Sequence, residues 1–385
     1  MPDSVTDNSS VPRGESARAA PPAEDEHPFV YGPNPLRLRG RDWAAAGVLL
    51  VVISTAICLA WPALEKFDPE PDYRIPYDLS SDFWMYSRWC ERAASDHEVL
   101  VIGDSSIWGH YVDAKDTLTG CLNRLAGESR FANLGLSGLH PVAMAGLLEH
   151  HCRAISGKKV VLHFGPLWLH SEQADLSGEK EFHFQHKELA PQFRRDLKCY
   201  KADIETRLGR YVDCRFPVSK LTNHAMITYF DNDSVLEWMV ANPYSNPLGA
   251  VNFEINESGE KAVGKPVPWS RKIKRKKDYA WVSPKESLQW AFFRRSVDIL
   301  RGKSNEVFVL IGPFNPHLLM PASEKRYRSL ITEVEAWLGE NDIGCFVVPD
   351  LPTEEYGDAS HPLGNGYVMI ARKMLSDESF KMWGR

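Results

Sequence analysis

In the stretch Glu98-Val-Leu-Val-Ile-Gly103-Asp104-Ser105-Ser106-Ile-Trp-Gly109, a run of large apolar residues, 99–102, is followed at once by Gly-Asp-Ser. An uninterrupted apolar run closed by a turn signal predicts a strand buried on both faces, as in a parallel sheet. The carboxyl end of such a strand is where open α/β sheets place their chemistry. A serine at that point can present its hydroxyl while the N–H groups of the turn face the same spot, bringing nucleophile and oxyanion donor together. Gly-Asp-Ser is also an ordinary turn, so the tripeptide needs a partner. Ser106 stays open as the nucleophile in place of Ser105.

The partner lies far downstream, in Asp350-Leu-Pro-Thr-Glu-Glu-Tyr-Gly-Asp358-Ala-Ser-His361-Pro362-Leu-Gly364-Asn-Gly366-Tyr367. Asp358 stands three residues before His361 in a turn-rich loop ahead of a helix, a spacing that lets a carboxylate reach the imidazole and fix its tautomer. Of the 13 histidines, His361 alone has Asp at that offset. Read alone, Asp358 could simply structure a loop. The chain order Ser, Asp, His turns the pair toward nucleophilic catalysis.

These blocks resemble those of the SGNH (GDSL-type) hydrolases. The resemblance implies Ser105 as nucleophile, His361 as base and Asp358 as its orienting acid. Asn133-Leu-Gly135-Leu-Ser137-Gly138 is similar to the family's loop after strand two, which implies that the N–H of Gly138 joins that of Ser105 in an oxyanion hole. One block departs. Where the family carries Gly-x-Asn after strand three, this chain has Gly165-Pro166-Leu167-Trp168, and neither proline nor leucine offers a side-chain donor. His163, His170 and Asn315 are the candidates to fill that place. Membrane-tethered relatives associated with polysaccharide O-acetylation also depart from the standard blocks, which keeps an acyltransferase beside the esterase.

The 22 residues 43–64, Trp43-Ala-Ala-Ala-Gly-Val-Leu-Leu-Val-Val-Ile-Ser-Thr-Ala-Ile-Cys58-Leu-Ala-Trp61-Pro62-Ala-Leu64, carry no charge. At 1.5 Å per residue they extend about 33 Å, enough to cross a bilayer with a tryptophan at either interface. A buried core helix or a cleaved signal peptide would pass part of the same test, but the first would carry a polar face and the second a short basic lead. Arg37, Arg39 and Arg41 precede the segment, whereas Glu65, Asp68, Glu70 and Asp72 follow it with Lys66 and Arg74. The arginine excess predicts a cytoplasmic amino terminus and an extracytoplasmic remainder in a single-pass inner-membrane protein.

The expected organisation is a disordered cytoplasmic tail at 1–42, a transmembrane anchor at 43–64, a connecting segment at 65–97 and a catalytic domain at 98–385 with an insertion at 171–285. Helix-like segments are expected at 116–126 with Asp116 as cap, at 141–155, at 192–210 and at 322–338, and strands at 159–164, 307–311 and 345–348. Together with the resemblance this is an α/β fold, a flavodoxin-like three-layer sandwich on a five-stranded parallel sheet with the first strand central. There is no internal repeat.

With 43% hydrophobic and 25% charged residues the chain is foldable, and its net charge of −6 gives no support to nucleic-acid binding. No Cys-x-x-Cys or His-x-x-x-His spacing suggests a metal, and no cofactor is expected. Six of the seven cysteines lie outside the apolar segment, and Cys199 with Cys214 is the first disulfide to test, reduced thiols being the alternative. The basic run Arg271-Lys-Ile-Lys-Arg-Lys-Lys277 could meet anionic headgroups or acidic glycans, or be a solvated loop. Two functions follow from this reading. One is an esterase or O-acyltransferase acting on acylated glycan or lipid, alone or beside a membrane-bound acyltransferase. The other is a non-catalytic scaffold for a membrane partner.

Overall fold

The computed structural model describes residues 39–255, 261–264, 266–272 and 275–384. The expected tail falls almost wholly outside them, as do two residues of the basic run. Two compact units divide the chain, Met1–Val51 and Val52–Arg385. The helix α1 (Gly40–Leu64) begins in the first and ends in the second, none of its residues buried. It is long and apolar enough to span a membrane.

Within the second unit, the α/β alternation starts with α2 (Phe83–Asp96) and β1 (Val99–Gly103), then the single-turn α3 (Ser105–Trp108), α4 (Leu118–Ala126), β2 (Phe131–Gly135), α5 (Pro141–His150) and β3 (Lys159–Phe164). The insertion contributes α6 (Ile204–Arg215), α7 (Pro217–Tyr229), α8 (Val235–Ala241) and α9 (Pro247–Ala250). The core resumes with α10 (Leu288–Gly302), β4 (Glu306–Ile311), α11 (Pro321–Glu340), β5 (Cys345–Val347), α12 (Gly364–Ser376) and α13 (Glu378–Gly384).

All five strands pair in parallel, in the order β2-β1-β3-β4-β5. This is the flavodoxin-like order, with β1 interior as its apolar run requires, although β3 and not β1 is the middle strand. Alternation splits β1 between two cores: Leu100 and Ile102 face α2, α5, α10 and α11, while Val99 and Val101 face α4, α12 and α13. Three layers result. Burial on both faces is what turns these strands into continuous Val/Leu/Ile runs.

Some local expectations shift. Asp116 closes a 3-10 turn, and it is Thr117 whose side chain accepts from the Gly120 N–H and caps α4. α5 stops at His150, short of residue 155. The helix expected over 192–210 begins only at Ile204, because Asp203 caps it through the Thr206 N–H. The stretch before it stays irregular, held by Tyr200 Oη donating to Gln192 Oε1 at 2.8 Å and Arg207 donating to the Tyr200 carbonyl. Cys199 and Cys214 are not bonded to each other; every cysteine is a free thiol. Their sulfurs point to different carbonyls, those of Leu176 and Glu188.

Candidate active site

Gly103 ends β1 where only a glycine fits, since a Cβ there would stand 2.4 Å from Ile107 and 2.6 Å from His163. Asp104 then caps α3, accepting the Ser106 N–H at 2.8 Å, so that Ser105 becomes the first residue of the helix. The other carboxylate oxygen of Asp104 takes the indole N–H of Trp168 at 3.0 Å. His163 is enclosed beside the same carboxylate, with Nδ1 at 3.3 Å, and burial holds its pKa below the ordinary imidazole value.

The loop after β5 brings the second half of the site to this corner. Ser105 Oγ lies 2.7 Å from His361 Nε2. On the other side of the ring, Nδ1 lies 2.9 and 2.8 Å from the two oxygens of Asp358. Asp358 also accepts the backbone N–H groups of Ser360 and His361, both at 3.0 Å, and the Tyr111 hydroxyl at 3.1 Å. Burial alone would raise the pKa of this carboxyl. The hydrogen bonds and charge of His361, with the two N–H groups, outweigh it and leave Asp358 well below the usual carboxylate range. An ionised Asp358 keeps the proton on Nδ1 and the Nε2 lone pair toward the serine.

Ser106 is otherwise engaged: its hydroxyl is buried and donates to the Ser360 carbonyl at 3.0 Å. Among the described residues, neither the Ser105 nor the Gly138 N–H donates to a protein acceptor. Gly138 has φ of +73°, and a Cβ there would sit 1.2 Å from Gln185 Oε1, so the insertion lies directly over it. Two histidines fasten that contact, His140 to the Gln185 carbonyl at 3.0 Å and His186 to the Ser137 carbonyl at 2.8 Å.

The structure places the three side chains considered for the missing donor against other groups. His163 is sealed under Asp104, His170 Nδ1 turns to the Leu167 carbonyl, and Asn315 donates to the Asp358 carbonyl at 3.1 Å, bracing the His361 loop from behind. Pro166 and Leu167 enter a 3-10 turn that commits Trp168 to Asp104.

Sequence reading missed several positioning residues. Arg74 is fully buried and donates to the carbonyls of Trp108, Gly109, Val112 and Lys261, its guanidinium 3.9 Å over the Trp108 ring. Burial draws its pKa down to about 10. Tyr367 donates to the Ser106 carbonyl, Asn133 to that of Ile107, and His110 lies 5.1 Å from the His361 ring. Each is remote in sequence from the group it holds, so only tertiary structure reveals the pairing.

Neither a family model nor a curated protein sequence matches the chain. Among solved structures, the chain is similar to a carbohydrate acetylesterase family member from Sinorhizobium meliloti, at 10% identity and a TM-score of 0.34, over 74% of this chain and 99% of that one.

Proposed function

We propose that the chain is an SGNH-type serine esterase or acyl-transfer enzyme, held at a membrane by α1 and acting on O-acyl, chiefly acetyl, esters of an extracytoplasmic glycan or lipid. The observation that carries this reading is the unbroken line from Ser105 Oγ through both nitrogens of His361 to Asp358. In the first step Oγ bonds to the acyl carbon as its proton passes to Nε2, and the N–H groups of Ser105 and Gly138 receive the developing oxyanion. The leaving alcohol then departs with the proton from Nε2, leaving an acyl-serine. Water attacking that ester gives its proton to His361, which passes it to Ser105 Oγ as the acyl–oxygen bond breaks, releasing the carboxylic acid and restoring the serine. A sugar hydroxyl in its place completes a transfer.

A groove of about 310 Å³ that reaches Ser137, the residue before Gly138, supports a glycan in either role. Tyr77, Gln185, Lys187, Glu188 and Arg210 are among its walls, an aromatic face with polar and charged groups of both signs suited to a hydroxyl-rich chain. The arginines ahead of α1 and the acids after it support an extracytoplasmic site, and a membrane-bound acyltransferase is the natural acyl donor for the transfer version.

A fluorophosphonate should label Ser105 in the full chain, with labelling lost in Ser105→Ala and His361→Ala and kept in Ser106→Ala. Absence of labelling in a folded protein favours the second reading, a scaffold that retains the fold. Its supporting observation is Leu167 at the position of the third donor, whose loss costs about 3–4 kcal/mol in comparable sites. Acetate release against transfer to added glycan separates hydrolase from transferase.

A further inference from the structure

α8 and the turn to α9 form an apolar surface that no described residue covers. Trp238 points inward, packed on Phe230 at 5.4 Å. On the opposite side, Leu236 and Val240 are 75% and 82% exposed, Met239 is exposed beside them, Tyr244 is wholly exposed and Leu248 is 83% exposed. Residues 236, 239 and 240 share one helix face. Over 235–253 the sequence holds one charge, Glu237, and that side chain is used in a capping box with Ser234. Soluble surfaces scatter single apolar residues, whereas a cluster of this kind marks a contact.

What the cluster contacts is indicated by where the segment is attached. Trp61, in the last turns of α1, packs on Tyr229 at 6.3 Å just before α8 and on Phe253 at 5.0 Å just after α9. Ala250 and Val251 join the same cluster. Both ends of the apolar segment are therefore pinned to the point where α1 finishes. Upstream of that point Val52, Ile53, Ile57 and Leu59 are all exposed.

From this geometry we infer that residues 235–251 form an interfacial lipid-binding element, its apolar side chains immersed at the headgroup–acyl boundary next to the exit of α1. The inference rests on the reading of α1 as a membrane span. A lipid surface is the occupant because the span places one there; an amphipathic interfacial element sinks about 5–10 Å into that boundary, with Tyr at headgroup level. Asp231 and Asp233 precede the segment and 235–253 holds no basic residue, so apolar burial and not attraction to anionic lipid drives the contact.

The test uses the full chain reconstituted in phosphatidylcholine vesicles, with an environment-sensitive fluorescent amino acid replacing Leu248, Leu59 or the exposed Met320, and lipids brominated high or low on the acyl chain. Quenching of the Leu248 probe by the shallow bromines, together with quenching at Leu59 and none at Met320, supports the element. Added salt should leave it unchanged, and Leu236→Ser combined with Val240→Ser should reduce it while Ser105 labelling is retained. Quenching at Leu59 without quenching at Leu248 overturns the element and leaves the span standing. Quenching at neither position overturns both. A blue-shifted, unquenched Leu248 probe would show a protein occupant, a second copy if the shift follows the protein-to-lipid ratio, and would also overturn the proposal.

Discussion

Tyr111 separates orientation from chemistry at the proposed active site. Its hydroxyl donates to Asp358, outside the proposed Ser105–His361 proton path, and burial with the adjacent carboxylate pushes its own pKa up to about 12, so it stays protonated near neutral pH. Tyr111→Phe removes one of several hydrogen bonds to Asp358. Loss of about 1 kcal/mol corresponds to a roughly fivefold fall in kcat, with KM unchanged and fluorophosphonate labelling slowed but present. An unchanged kcat would show that the backbone N–H groups of the loop orient Asp358 without help. The serine and the Asp-x-x-His pair that come together in the proposed site were legible because each carries its signal locally, in a turn after an apolar run or in a fixed spacing. Tyr111, Arg74 and Trp168 were not, since a lone Tyr, Arg or Trp reads as core until its distant partner is known. Ser105 and Ser106 are indistinguishable as letters; the Ser360 carbonyl, far along the chain, tells them apart.

Among the elements, α7 carries the strongest electrostatic commitment. His224 is buried between Asp82 at 2.6 Å and Glu65 at 2.7 Å, and Glu65 also receives Arg88, Tyr229 and the Trp61 indole at 3.1 Å. Burial alone would lower the histidine, but hydrogen bonds to the two carboxylates dominate and raise it to about 9. A raised folded pKa means that the stabilisation is complete below the unfolded value of about 6.5 and disappears as pH rises through about 9. Thermal unfolding followed from pH 6 to 10 should therefore show stability falling across that window by up to a few kcal/mol, a slope that His224→Gln removes. Strands β1, β3 and β4 were legible from hydrophobicity because both their faces are buried, whereas β2 carries Asn133 within it and β5 is only partly buried. The start of α6 was not, because its amphipathic pattern extends past a cap that only the fold selects.

For the molecule as a whole, the end of α1 belongs as much to the folded body as to any membrane. A chain beginning at Ala60 keeps Trp61 and Glu65, whereas one beginning at Lys66 leaves His224 and Arg88 without the carboxylate they share. Removing one partner from a buried charge pair costs about 3–5 kcal/mol, so the shorter chain should melt several degrees lower or fail to fold, as calorimetry of the two would record. Equal melting temperatures would show that water replaces Glu65 without loss. The α/β class could be read from the alternation of apolar runs and helix-like stretches together with the family resemblance, which also set where on the sheet the proposed site was expected. The grip of the insertion on the Gly138 loop could not, for nothing in Phe184-Gln185-His186 announces what it rests on.

The Arg74 clamp bears on how the polypeptide matures. Its guanidinium leaves the ribosome well before Lys261, one of the four carbonyls it gathers, and long before His361. The corner holding the proposed nucleophile thus waits, incompletely fastened, until residue 361 has been made. A nascent chain stalled ahead of residue 361 should carry a Ser105 that no fluorophosphonate labels, and a chain extended far enough past His361 for that loop to fold should gain the reactivity in a single step.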